Sequence, residues 1–203
     1  GYLINLYLTT KNYKAAMISL EAIKQMDESL KGVHQFVAYN LGVDYFINGF
    51  YKPSISNLQK AQKYPMDKNL NAMSFYWMGE ANYRLKNYDA AIENYKAFIF
   101  QPRAILQKEY NNSNYNIAYS YFKKKDYPSA IEWFRKFVAR AEEADSGKIN
   151  ESYLRIADGY YISQQYADAV EYYDKAIIVK KSDADYAMFQ KAVALGILKK
   201  NDE

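Results

Sequence analysis

The chain has no cysteine, a single histidine, eight glycines and four prolines among 203 residues. Without thiols there are no disulfides, no thiolate zinc site and no cysteine nucleophile. The compartment stays open, because a periplasmic protein can also do without disulfides. Scarce glycine and proline argue against a strand-rich fold punctuated by tight turns. No apolar run reaches the ~18–20 residues needed to span a bilayer, and no secretory signal is visible. Charge of one sign is missing too. The net charge is +4, and the largest local imbalance is three basic residues against one acidic residue over residues 32–66. That excludes the basic footprint of a nucleic-acid binder. The run Lys123–Lys125 reads as a solvated helix end.

Catalytic constellations are missing as well. His34 has no partner in register for a triad or a metal site, and reads as an exposed or capping residue. No two glycines lie close enough to form a phosphate loop. The acid pairs Glu142/Glu143 and Asp183/Asp185 fall in expected loops and read as solvation or helix capping. The sequence therefore implies no enzyme, no cofactor and no metal.

What is abundant is tyrosine, with 23 copies, in a chain that is half apolar. Its ring is apolar in the body and polar at the tip, which suits a thin core whose members lie near solvent. The tyrosines also mark a repeat. A polar turn, a Tyr, a small residue and an aliphatic residue recur at Asn12-Tyr13-Lys14-Ala15-Ala16-Met17, Phe50-Tyr51-Lys52-Pro53-Ser54-Ile55, Asn87-Tyr88-Asp89-Ala90-Ala91-Ile92, Asp126-Tyr127-Pro128-Ser129-Ala130-Ile131 and Gln165-Tyr166-Ala167-Asp168-Ala169-Val170. The tyrosines stand 38, 37, 39 and 39 positions apart. Upstream of four of these turns lie Leu41-Gly42, Met78-Gly79, Ile117-Ala118 and Ile156-Ala157, each followed by an aromatic three or four residues on. Downstream lie Ile92/Tyr95/Phe98, Ile131/Phe134/Phe137 and Val170/Tyr173/Ala176. Both spacings mark one face of a helix. Each unit is therefore helix A, tight turn, helix B. Gly42, Gly79, Ala118 and Ala157 fall where helix A must let helix B approach. Ala16, Ser54, Ala91, Ala130 and Ala169 are the matching small positions on helix B. Pro53 and Pro128 sit at helix starts, where a missing N–H costs little.

This pattern resembles the tetratricopeptide repeat (TPR), on the strength of Phe75, Met78, Gly79, Ala91, Tyr95 and Phe98. A HEAT-type repeat has a similar period, but the Gly/Ala–Tyr–Ala phrase favours TPR. The period departs from the usual 34, and the extra residues fall at 63–71, 101–111 and 141–148 as longer helix ends or loops. The resemblance implies an all-α, right-handed superhelical solenoid of stacked antiparallel helix pairs. It would be a single solenoid over residues 1–203, with units at about 1–31 (partial), 32–66, 67–105, 106–147, 148–182 and 183–203 (partial). The chain opens inside a helical pattern at Gly1-Tyr2-Leu3-Ile4 and stops at Asn201-Asp202-Glu203, which predicts a piece of a longer protein. The phrase Tyr76-Trp77-Met78-Gly79-Glu80-Ala81-Asn82-Tyr83 is similar to TPR proteins of the cell envelope, including Tol–Pal-associated periplasmic ones. That leans towards an envelope location, although cytoplasmic TPR proteins carry similar phrases.

In TPR proteins, helices A line a concave groove. The resemblance places Tyr39, Phe46, Tyr76, Glu80, Tyr83, Arg84, Tyr115, Tyr119, Phe122, Lys123, Asp158 and Tyr161 on that face. It implies a protein or peptide partner, held as an extended segment or a helix. An aromatic stripe at these spacings also fits a core. The Lys/Asn set that clamps a C-terminal carboxylate is not there: Tyr39, Tyr76, Tyr115 and Leu154 take one of its slots, and Val43, Glu80, Tyr119 and Asp158 another. The alternative function is a structural spacer or self-association module. Leu3, Ile4, Tyr7 and Leu8 at one end, and Phe189, Val193 and Leu195 at the other, would be left for end-to-end stacking.

Overall fold

The structure is a computed structural model that describes residues 9–179 and 184–201. Among these residues there are ten α-helices and no strand: α1 (Tyr13–Glu21), α2 (Glu28–Ile47), α3 (Tyr51–Gln62), α4 (Lys68–Arg84), α5 (Tyr88–Ile99), α6 (Glu109–Lys123), α7 (Tyr127–Val138), α8 (Ser146–Ile162), α9 (Tyr166–Val179) and α10 (Asp185–Asn201). Short 3-10 turns at Ala104–Leu106 and Glu143–Asp145 take up two of the stretches that lengthen the period. The chain divides into two compact units, Gly1–Gln107 and Lys108–Glu203. In the first, α1 packs on α2, α2 on α3, α3 on α4 and α4 on α5. In the second, α6 packs on α7, α7 on α8, α8 on α9 and α9 on α10. Helices A are thus α2, α4, α6 and α8, and helices B are α1, α3, α5, α7 and α9. The residues Leu3, Ile4, Tyr7, Leu8 and Asp183 lie outside the described residues.

The tight turn between helices A and B has one geometry throughout. The residue two before the turn tyrosine is left-handed: Lys11 (φ 56°), Gly49 (φ 80°), Lys86 (φ 62°), Lys125 (φ 63°) and Gln164 (φ 62°). At four of these turns the same two hydrogen bonds close the preceding helix. Asn87 N donates to Asn82 O at 2.9 Å and Lys86 N to Tyr83 O at 2.9 Å; Phe50, Asp126 and Gln165 repeat the pattern with their own turns. This pair of bonds is the Schellman motif, which satisfies carbonyls that a helix end leaves orphaned. A residue with a Cβ is strained there, yet only one of the five positions is glycine. On the far side of the turn, Asn12 and Asp126 cap helices B by accepting from Ala15 N and Ser129 N, both at 3.2 Å.

The small positions on helix A do what their size requires. A Cβ added at Gly79 would lie 2.7 Å from the Tyr95 ring, and one at Gly42 would lie 2.7 Å from Leu58 Cγ. Ala118 and Ala157 are fully buried in the second unit, in one cluster with Phe134 and Tyr173. Ala16, Ser54, Ala91, Ala130 and Ala169 are buried on helices B. A second recurrent device ties the ends of each pair. Asn111 Nδ2 donates to Phe137 O at 3.1 Å, and Asn150 Nδ2 to Ala176 O at 2.8 Å. Each Asn stands seven residues before its small residue and satisfies a carbonyl near the end of its own helix B. At the same place in α2, Gln35 is buried and forms a two-bond clamp on the Asp67 backbone: Nε2 donates to Asp67 O at 2.9 Å, and Oε1 accepts from Asp67 N at 2.6 Å.

One expectation is corrected. His34 is neither exposed nor a cap; it is 3 % exposed within α2. Its ring meets Tyr64 edge-on at 5.1 Å, and its Nδ1 has no hydrogen-bond partner. The return of the chain at Tyr64, thirty residues later, covers it. Burial, and then the positive charges of Lys63 and Lys60, hold its pKa below the usual 6.5, with Glu21 opposing. The neutral ring is therefore favoured in the folded state. Its contribution to stability is complete above the unfolded pKa near 6.5 and is lost as pH falls below it.

Two outcomes are expected from this packing. Gly79→Ala lowers stability by about 1–3 kcal/mol through overpacking, whereas Lys86→Gly raises it by up to about 1 kcal/mol by relieving left-handed strain; urea unfolding of the two variants measures both. Between pH 7 and pH 5 the wild-type loses stability, and His34→Phe, which keeps an aromatic ring beside Tyr64, flattens that slope. An unchanged slope in thermal unfolding would show that His34 is not the titrating group.

Candidate functional site

The residues expected on the A face fall in both units. In the first unit, α2 and α4 run side by side and share a row of rings. Trp77 Nε1 donates to Tyr39 Oη at 3.1 Å, and the Trp77 ring lies 5.0 Å from Phe46 and 5.4 Å from Tyr76. Tyr76 leans back on Tyr95 and Phe98 of α5 at 6.1 and 5.6 Å. Tyr83 meets the turn residue Tyr88 at 5.6 Å, and burial, followed by the charge of Tyr88, pushes its hydroxyl pKa above the usual 10. Arg84 is exposed. Offset and edge-on contacts of this kind each add ~0.5–1.5 kcal/mol beyond the area they bury.

In the second unit, the Tyr115 ring lies 5.0 Å from Tyr119 and 5.0 Å from Phe137, and the Tyr119 ring 5.2 Å from Phe134. The Tyr119 hydroxyl donates to Glu151 of α8. Burial and that hydrogen bond push the Tyr119 pKa far up, so its proton stays in place. Arg155 ties the row together. It donates to Glu151 Oε1 at 2.8 Å and to Asp158 Oδ2 at 2.5 Å, and its guanidinium stands 5.7 Å from the centre of the Phe122 ring. Burial would raise the Glu151 pKa, but the Tyr119 hydroxyl and Arg155 together hold it below the usual carboxylate value. Phe122 and Tyr161 each pack on their own turn tyrosine, Tyr127 and Tyr166, at 5.5 and 5.4 Å. Lys123 is exposed.

Of the twelve expected residues, eight are half-buried rings, Glu80 is half-buried, Arg84 and Lys123 are exposed, and Asp158 is buried. Glu80 and Asp158 share a task. Tyr95 Oη donates to Glu80 Oε1 at 2.8 Å, and Tyr173 Oη to Asp158 Oδ1 at 2.8 Å. In both pairs the acid follows the small residue of helix A; Tyr95 packs on Gly79, and Tyr173 shares a buried cluster with Ala157. Where helix A carries Tyr119 at that position, helix B carries Phe134, and the two rings pack edge-on instead. Tyr186 of α10 adds a second hydroxyl to Asp158 Oδ1 at 2.9 Å. Asp158 therefore fixes the positions of three neighbours.

Sequence reasoning missed Trp77, Glu151 and Arg155. The latter two stand four apart on one helix, with Asp158 three beyond, a spacing at which ion pairs form. It also missed a cluster on the other side of α8, where Arg135 of α7 donates to Tyr172 Oη at 2.8 Å and to Tyr160 Oη at 2.6 Å. Among the described residues no group of His, Cys, Asp and Glu has the arrangement of a metal site, and no helix is long and apolar enough to cross a membrane.

Sequence models of the tetratricopeptide repeat match residues 87–146, 73–99 and 151–183. No curated protein matches the chain by sequence. Among solved structures, the chain is similar to MamA, at 21 % identity and a TM-score of 0.61 over 90 % of this chain and 97 % of that one. It is also similar to YrrB, described as a TPR protein with an unusual peptide-binding site, at 16 % identity and a TM-score of 0.61 over 97 % and 88 % of the two chains. A third is the C-terminal part of a TPR repeat-containing protein from Cytophaga hutchinsonii, at 14 % identity and a TM-score of 0.64 over 98 % and 72 %. At such identities the likeness is one of fold.

The acid–tyrosine pair is directly testable. Asp158→Ala and Tyr173→Phe are each expected to destabilise the protein, with a coupling of about 1–3 kcal/mol between them in a double-mutant cycle. Additive effects would mean that the two groups do not interact.

Proposed function

The chain belongs to the tetratricopeptide-repeat family, and we propose that it is a protein-interaction module whose A-helix faces take an extended segment or a helix of a partner. The observation that carries this reading is the state of the eight rings Tyr39, Phe46, Tyr76, Tyr83, Tyr115, Tyr119, Phe122 and Tyr161. Each is half-buried, and each is held by a neighbouring ring: Tyr39 by the hydrogen bond from Trp77, and the other seven by ring-to-ring packing. Rings already ordered in this way lose little rotamer freedom when a partner covers them, so the entropic cost of binding is low. Tyrosine adds a hydroxyl for a partner's backbone. The exposed cations Arg84 and Lys123, which close two of the A helices, suit a segment that carries acidic residues beside its apolar ones. YrrB, which shares the fold, is described as having a peptide-binding site, and that is consistent with this reading.

A second reading, self-association through an end of the array, is supported by one feature. Met188 and Phe189 of α10 are 51 % and 64 % exposed, with Leu195 at 38 % on the same helix. A helix with such a surface is ready to pack on another pair.

Site-specific photo-crosslinking separates the two. A photo-reactive phenylalanine derivative is placed at Arg84 or Lys123, at the helix-B positions Lys52 or Glu93, and at Phe189. Adducts to another protein from Arg84 and Lys123, with Lys52 and Glu93 silent, are expected. Adducts found only at Phe189, and joining two copies of this chain, would replace the partner-binding reading with self-association.

A further inference from the structure

On the side of the second unit away from the A face, α7, the end of α8 and the turn that follows it line an open cavity of about 550 Å³. Pro128, Ile131 and Ala139 form its apolar lining, and Ser163 and Gln165 stand at its rim. Arg135, Tyr160 and the ion-paired Glu132 and Lys136 form its polar part. Beyond Arg135 lies a smaller hollow of about 200 Å³, which Tyr172 helps to line. Tyr160 is two residues after Asp158, roughly 200° further around the helix. The cavity is therefore separate from the surface proposed to meet a protein partner, and its chemistry is independent of that surface.

The polar part has a specific donor arrangement. Arg135 Nε donates to Tyr172 Oη at 2.8 Å, and Nη2 donates to Tyr160 Oη at 2.6 Å. Each phenol oxygen is an acceptor in its bond to arginine, so its own proton remains to be donated elsewhere. The two rings also flank the guanidinium, with centroids 5.6 and 5.3 Å from Cζ. These contacts hold the arginine in place before any ligand arrives. The neighbouring lysines are matched with carboxylates: Lys136 with Glu132 and Lys175 with Glu171, each at 2.6 Å. Asp168 acts on Arg135 through space without pairing with it. Among the described residues Arg135 is thus the cation of this surface that has no carboxylate of its own. A guanidinium edge and the Tyr160 hydroxyl proton beside the apolar wall of the cavity match one chemistry, that of an oxyanion attached to an apolar body.

We infer that this cavity is a binding site for a small carboxylic acid with an apolar tail, its carboxylate held by Arg135 and the Tyr160 hydroxyl and its tail lying over Pro128, Ile131 and Ala139, with Tyr172 fixing Arg135 from the adjoining hollow. The volume falls within the ~300–1,000 Å³ of ordinary small-ligand sites. The same carboxylate chemistry is carried by the last residue of a polypeptide, and the test separates the two sources.

The probes are 4-phenylbutyrate, its amide, the corresponding alcohol, and a hexapeptide ending in Phe as the free acid or the amide. Each is titrated into the full chain and followed by calorimetry and by the Trp133 indole resonance. Phenylbutyrate is expected to bind, and its amide and alcohol to bind at least about tenfold more weakly. Arg135→Met is expected to weaken the acid by about 10–100-fold, the range of a lost charge-assisted hydrogen bond. Tyr160→Phe, which keeps the ring and loses the hydroxyl, weakens it several-fold and guards against a misfolded arginine variant. Equal binding of acid and alcohol, or unchanged binding in both variants, overturns the site. Binding of the peptide acid without binding of phenylbutyrate overturns the small-acid assignment in favour of a polypeptide terminus.

Discussion

The four helix A–helix B pairs among the described residues each place a residue with almost no side chain beside a bulky one sixteen positions later. Gly42 meets Leu58 and Gly79 meets Tyr95, and in each case even a single added carbon would come within 2.7 Å of the partner. Ala118 with Phe134 and Ala157 with Tyr173 hold the same places in the second unit. The small residue brings the two helix axes together, and the large one then fills the space the small one leaves. The residue just after the small one is carried along. Glu80 and Asp158 land within reach of a tyrosine hydroxyl, while Tyr119 lands against a phenyl ring. The polarity of the A face is in this way matched, repeat by repeat, to what helix B presents.

The period, the helix pairing and the small positions were legible from the amino-acid order. They are local, and they recur five times with the same tyrosine as a marker. The left-handed residue in each turn was not legible, because four of its five occupants are lysine or glutamine, which carry no conformational signature. His34 was misread for a different reason. Nothing within a helical turn of it is unusual, and the residue that covers it, Tyr64, arrives from the next inter-helix segment. Gln35 and Asn150 look like ordinary polar surface until a carbonyl from a distant helix end comes to meet them.

The candidate surfaces divide along the same line. The A-face rings were placed by counting from the small residues, and the structure shows which neighbours support each ring. The Arg135 cluster could not be counted out. Its members lie 25 and 37 residues apart and meet only after α7, α8 and α9 have packed. Two surfaces of different chemistry thus share α8: a row of rings laced by acids and an arginine on one side, and a guanidinium between two phenols on the other.

The sixteen-residue separation of the small–large contact also bears on how the chain acquires its fold. Closing a loop of that length costs little configurational entropy, and the cost grows only slowly with length. A contact that creates a helix pair can therefore form as soon as its own forty or so residues are free, without waiting for the rest of the sequence. Chains rich in such short-range contacts cross low barriers and fold quickly. The glycine at position 79 is in that sense a kinetic device as well as a packing one. It lets its own helix pair close on a local contact, and an array of such pairs can begin folding at any one of them and spread to its neighbours.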